Sequence, residues 1–211
     1  MDLQVEEYLK PTPIIDCNSR SIQEKAKDLT KGQENTKDKA KSLFYFVRDE
    51  IKYNPYVPRY LAEHFCASST LSRGEGYCVQ KAVLLTALAR ATEIPARLGF
   101  AKIRNNLLPE KMLKWMGTNV LPFHGYAQLH IEGKWVKATP AFDLKMCREN
   151  RIIPVEFDGK NDAIFHSHNQ DGKLHIEYLT DLGQYDDVPL DKIWEAMTQT
   201  YGTKYVKPPK R

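Results

Sequence analysis

Arg73-Gly74-Glu75-Gly76-Tyr77-Cys78-Val79-Gln80-Lys81-Ala82-Val83-Leu84-Leu85-Thr86-Ala87-Leu88-Ala89-Arg90-Ala91 is the stretch on which the fold of this 211-residue chain turns. Gly74 and Gly76 punctuate a loop. From Cys78 to Ala91 the apolar residues Val83, Leu84, Ala87, Leu88 and Ala91 then share one helical face, the longest apolar helix pattern in the sequence. It is expected to be the central, most buried helix, ended by Pro95. The first turn of a helix offers unpaired backbone N–H groups and the positive end of the dipole, both of which favour a thiolate. Cys78 is therefore the candidate nucleophile. The glycines before it are expected to leave room for a substrate backbone, and the Cys78 N–H to help hold an oxyanion. The competing reading is a small, inert core cysteine.

Working upstream, Ser21 and Glu24 read as a capping box ahead of Ile22, Ala26 and Leu29 at helical spacing. Ala40, Leu43, Phe44, Val47 and Ile51 recur at threes and fours, which predicts an amphipathic helix over 36–51. Pro55 and Pro58 enforce a loop. Tyr53, Tyr56 and Tyr60 around it are candidates for a cleft wall, with plain packing as the simpler role. Downstream, 96–103 reads as a strand, followed by a polar insertion up to Pro122 in which Trp115 is a candidate lid aromatic.

His124-Gly125-Tyr126-Ala127-Gln128-Leu129-His130-Ile131 alternates polar and small or apolar residues, the pattern of a half-buried strand. A two-residue Glu132-Gly133 turn sends the chain back through Lys134–Thr139, pairing Leu129 with Val136 and Ala127 with Ala138 on the apolar face. His124 opens this strand on its polar face and is the candidate base for Cys78. Continued past the turn, the register sets Ala141 opposite His124, with Thr139 and Asp143 as its diagonal neighbours. Asn169-Gln170-Asp171-Gly172 marks a further turn, between a possible strand and 174–179. A last helix carries Ile193, Met197 and Tyr201, and Lys207-Pro208-Pro209-Lys210-Arg211 is expected to fray. Helices come first and mainly antiparallel strands after them, which makes the fold α+β.

Residues 69–82, with Gly74-Glu75-Gly76-Tyr77-Cys78, together with Leu88 through Arg97, resemble the nucleophile block of the transglutaminase-like superfamily. The hairpin resembles that family's second block: a histidine at a strand start, a Gly-containing turn, then Trp-x-x-x-Asp-Pro, here Trp135-Val136-Lys137-Ala138-Thr139-Pro140. The resemblance implies a papain-like core of about 36–180 within a single domain, 1–211, with helical extensions at both ends. A helix bearing Cys78 would pack on an antiparallel sheet bearing His124. One position departs from the pattern: Thr139 stands where the family's third catalytic residue, an aspartate, is expected. A threonine can orient an imidazole but cannot stabilise an imidazolium with charge. Asp143, by parity and diagonal position, is the residue expected to complete a Cys78–His124–Asp143 triad.

Composition bounds what such a chain does. A net charge of +4, with basic residues interleaved among acids, gives no stripe for nucleic acid. The acidic N-terminus lacks the apolar core of a secretory signal, no stretch reaches membrane-spanning length, and the expected location is cytoplasmic. Cys17, Cys66, Cys78 and Cys147 form no C-x-x-C pair, so reduced thiols and no zinc knuckle are expected. His166-x-His168 with His175 lacks a carboxylate or cysteine to complete a metal spacing. The expected activity is acyl transfer on a peptide, protein or small amide, with hydrolysis as the default outcome and no metal or organic cofactor. The rival expectation is a weakened domain of the same fold acting as a binding or scaffold module, for which Thr139 is the best support.

Overall fold

The computed structural model describes residues 3–202, and the expected fraying of Lys207–Arg211 lies outside them. In chain order the helices are α1 (Leu3–Glu6), α2 (Arg20–Leu29), α3 (Thr36–Asp49), α4 (Ala67–Arg73), α5 (Cys78–Ala91), α6 (Glu110–Met116), α7 (Leu144–Glu149) and α8 (Leu190–Tyr201). The strands are β1 (Lys52–Tyr53), β2 (Glu75–Gly76), β3 (Ala96–Asn105), β4 (Val120–Ile131), β5 (Lys134–Ala138) and β6 (Ile176–Tyr185). β3 to β6 form one antiparallel sheet in the order β5-β4-β3-β6. The fold is α+β with a papain-like core: helices on one side, the sheet on the other, α5 between them.

α5 is buried from Cys78 through Arg90, on every face, because α2, α3 and α4 pack around it while β3 and β4 cover its remaining side. Its few polar residues are satisfied inside. Thr86 donates to the Ala82 carbonyl at 2.9 Å, and Arg90 donates to the carbonyls of Ala96, Lys10 and Asp186. Such pairing removes most of the cost of burying polar groups.

The ends of α2, α3 and α5 lie within two residues of their expected positions, whereas α1, α4, α6 and α7 are not among the expected helices. The α2 start differs: its N-cap is Ser19, not Ser21, its side chain makes no capping bond, and Glu24 pairs with Arg20 at 2.7 Å. α3 is capped by Asn35, whose side chain accepts from the Asp38 N–H at 2.8 Å. The polar insertion contains a full helical segment, α6, which the alternation of Lys, Met, Leu and Trp does not announce.

The hairpin register is as expected, with Leu129 opposite Val136 and Ala127 opposite Ala138. Glu132 and Gly133 both take positive φ, 49° and 84°, as a tight turn of this hand requires. β4 begins at Val120, so His124 lies inside the strand and does not open it. Its neighbour across the sheet is Ala101 of β3. His124, Tyr126 and Gln128 are as buried as the apolar residues between them, since a central strand is covered on both faces.

Candidate active site

Cys78 is the first residue of α5, 4% exposed, with Tyr77 as N-cap. The loop before it is fixed by β1–β2 pairing, Lys52 against Glu75 and Tyr53 against Gly76. The two glycines also shape this loop. Gly74 ends α4 in the left-handed region at φ 69°, and Gly76 is buried where a Cβ would lie 3.2 Å from Gln80 and 3.3 Å from Thr70. Gln80 then ties the helix tip down. Its amide donates to the Pro58 and His64 carbonyls at 3.0 and 2.8 Å, while its carbonyl oxygen accepts from the Tyr77 N–H at 3.3 Å. One residue on, the wholly buried Lys81 ammonium donates to the Arg48 and Ile51 carbonyls at 3.0 and 2.5 Å, anchoring α5 to the end of α3. Burial lowers its pKa to about 7 against the pull of Asp143 and Asp49.

The helix tip meets β4 at Gly125, the residue after His124. A Cβ there would stand 3.0 Å from the Val79 Cα, so only glycine lets helix and strand approach this closely. This contact brings the thiol to the strand. Burial raises the Cys78 pKa, opposed by the backbone N–H groups of Gly125, Val79 and Cys78 itself and by the charge of Arg59. The sequence expectation of a thiolate favoured by the helix end is outweighed by desolvation. The same cause lowers His124 to about 3. At neutral pH the pair rests as thiol and imidazole.

Cys78 and His124 line one cleft of about 580 Å³. Its walls include Tyr53, Tyr56, Leu107, Phe142 and Phe165, so two of the three expected cleft tyrosines are there. Tyr60 instead packs edge-on against His64 at 4.5 Å. The His124 ring lies 4.8 Å from Phe165, which stacks on Phe142 at 4.5 Å, and Phe142 in turn stacks on His175. A second, smaller compartment of about 50 Å³ also reaches Cys78, lined by Arg59, Tyr77, Trp115, Phe123 and Tyr201 among others. Trp115 packs at 5.5 Å from Tyr56, bridging the insertion and the Pro55 loop.

Asp143 does not join His124. β5 ends at Ala138, and the Thr139 N–H donates to the Ala163 carbonyl at 2.9 Å, so the chain leaves β4 before the register can place Ala141 opposite His124. Asp143 becomes the N-cap of α7: one carboxylate oxygen accepts from the Met146 N–H at 2.8 Å and the other from the Tyr53 N–H at 2.9 Å. The expected triad carboxylate is thus a structural brace. His124 Nε2 is buried without a hydrogen-bond partner, and so is Thr139 Oγ1. Tyr178 faces both: its ring is 6.2 Å from His124, and its hydroxyl is near Thr139 but outside hydrogen-bond geometry. His175 is also buried with an unpartnered Nε2, its pKa lowered to about 4, first by burial and then by His166. Among the described residues no group of three His, Cys, Asp or Glu could hold a metal ion, and no helix is long and apolar enough to cross a membrane.

The sequence model of the Transglutaminase-like superfamily matches residues 23–140, more than half of the chain and including both Cys78 and His124. The chain belongs to that superfamily. One of the similar solved structures, the first below, supports the fold. A candidate cysteine protease from Cytophaga hutchinsonii is similar over 66% of this chain and 43% of its own, with 20% identity and a TM-score of 0.53. The periplasmic domain of TgpA from Pseudomonas aeruginosa is similar over 66% of this chain and 48% of its own, with 16% identity and a TM-score of 0.48. A candidate protease from Parabacteroides distasonis matches 64% of this chain and 25% of its own, with 15% identity and a TM-score of 0.43. The chain thus spans less than half the length of each of these structures. No curated protein sequence matches it significantly.

Proposed function

We propose that the chain is a thiol-dependent acyl-transfer enzyme that hydrolyses an amide or peptide-like substrate, with Cys78 as nucleophile and His124 as base. The observation that carries this reading is the cleft that both residues line, with the Gly125 N–H, next in sequence to His124, facing the thiol. Since both groups start neutral, attack couples two events: the sulfur adds to the carbonyl carbon while its proton passes to His124. The Cys78 N–H, unpaired in the first turn of α5, is placed to hold the developing oxyanion. Collapse expels the amine, which takes the proton from the imidazolium, and leaves a thioester. Water, giving up a proton to His124, releases the carboxylic acid and restores the thiol. An amine entering in place of water would make a new amide, but water is the abundant acceptor.

Thr139 is the residue proposed to orient His124. Two buried polar atoms without partners on neighbouring elements would each gain from pairing, and a hydroxyl supplies direction without charge. The test is a panel of fluorogenic peptide amides assayed with wild type and Cys78→Ser, with hydroxylamine added to trap the thioester. Release of fluorophore that survives Cys78→Ser unchanged would sink the proposal.

A scaffold role has its own support in the absence of a carboxylate at His124 and in the raised thiol pKa. It requires Cys78 to react with iodoacetamide no faster than in His124→Ala, at every pH.

A further inference from the structure

The smaller compartment beside Cys78 carries one charged side chain, Arg59, and no acidic residue among those lining it. Arg59 is half-buried, its guanidinium 4.8 Å above the Tyr77 ring. Its loop is fixed from behind, where the Trp194 indole N–H donates to the Arg59 carbonyl at 3.0 Å. Among the described residues its guanidinium has no ion pair and no hydrogen bond, unlike Arg48, Arg104 and Arg151, each paired with a carboxylate. Tyr77 supplies the second, independent sign: its side chain is 6% exposed, and its hydroxyl is buried without a partner in the same compartment. Burying a phenol without a partner is costly, and that deficit vanishes if a ligand held by the guanidinium also accepts from it. A volume of about 50 Å³ holds one small polar group. A guanidinium fork and a phenolic donor are the groups that recognise a carboxylate.

We propose that Arg59 and Tyr77 bind a carboxylate on the acyl half of the substrate, so that the enzyme prefers amides of acidic acyl groups such as a glutamyl or aspartyl residue. The assignment to the acyl half rests on the cysteine chemistry proposed above. His124 must deliver a proton to the leaving amine, and it faces the large cleft and not the small compartment, so the amine occupies the former and the acyl group turns toward Arg59. The aromatic wall of the large cleft then receives the leaving half.

The test needs no turnover. Iodoacetate and iodoacetamide alkylate a thiol by the same displacement of iodide, with loss of the thiol proton, and differ only in carrying a carboxylate or an amide. Second-order rates at the Cys78 peptide, followed by mass spectrometry, give an iodoacetate-to-iodoacetamide ratio for the full chain, Arg59→Gln, Arg59→Lys and Tyr77→Phe. The ratio is expected to fall about tenfold in Arg59→Gln, to be largely kept in Arg59→Lys, and to fall several-fold in Tyr77→Phe. A ratio unchanged in Arg59→Gln and Tyr77→Phe, including an equal slowing with both reagents, overturns the carboxylate site. A glutamyl aminomethylcoumarin is expected to be cleaved about tenfold faster than the glutaminyl one, and equal rates would overturn the acyl-side assignment. Failure of the catalytic reading shows elsewhere, as rates with both reagents that do not respond to His124→Ala.

Discussion

The two flanks of the site are built in opposite ways. On the helix side the residues that follow Cys78 are tied down: Gln80 bonds to three backbone groups, Lys81 to two carbonyls, and Gly76 before it packs against Gln80 and Thr70. On the strand side His124 Nε2 and Thr139 Oγ1 are buried and unpartnered, and the expected carboxylate, Asp143, is turned to capping α7. The contrast separates two requirements of a thiol site. Position of the sulfur is over-determined by backbone bonds, whereas the orientation of the imidazole rests on ring packing against Phe165 and Tyr178. Position survives small changes, and orientation is the softer property.

The comparison can be broken most directly at His124. Replacing it with Ala is expected to slow Cys78 alkylation at neutral pH roughly a hundredfold or more, as loss of a positioned base does. A change of less than threefold, read by the same mass-spectrometric assay, would mean that the strand side contributes nothing. Next in size is Gly125→Ala. The added methyl must displace the Val79 backbone, which is expected to cost about 1–3 kcal/mol in urea unfolding and to move the sulfur from the imidazole. Unaltered stability would show that helix and strand are not in close contact.

Acid sharpens the contrast further. His124 has a folded-state pKa of about 3 against 6.5 unfolded, so between those values the unfolded chain binds the extra proton and stability falls as pH falls. On the order of 2 kcal/mol is expected to be lost between pH 6.5 and 5 through this residue. Lys81 acts in a higher window. Its folded pKa of about 7 lies below the model value of 10.5, so stability rises with pH between the two, and Lys81→Met should flatten that rise. Thermal melts across pH 4–10 would read both arms; a flat acid arm would place His124 in water.

Smaller effects separate Asp143 from Thr139. Asp143→Asn keeps a capping oxygen but removes the charge near Lys81, and is expected to cost about 1 kcal/mol of stability with little change in the pH profile of Cys78 alkylation. A profile shifted as far as that of His124→Ala would return Asp143 to the catalytic unit. Thr139→Ala is expected to slow alkylation only about two- to fivefold, because a neutral hydroxyl outside hydrogen-bond geometry contributes little. A hundredfold loss would instead make Thr139 a full partner of His124.

Sequence alone determined what local pattern controls. The apolar spacing from Cys78 to Ala91 set the limits and burial of α5, and the Glu132-Gly133 turn set the hairpin register, because each depends on residues a few positions apart. Together they brought Cys78 and His124 forward as the pair. Tertiary structure decided the remainder: where the chain goes after Pro140, hence that Asp143 caps a helix while Thr139 lies beside the imidazole's neighbourhood. It also decided that burial leaves both partners neutral, and that Arg59, nineteen positions before Cys78, returns to face it. Such outcomes depend on solvent exclusion and on contacts between distant segments, and no window along the chain contains either.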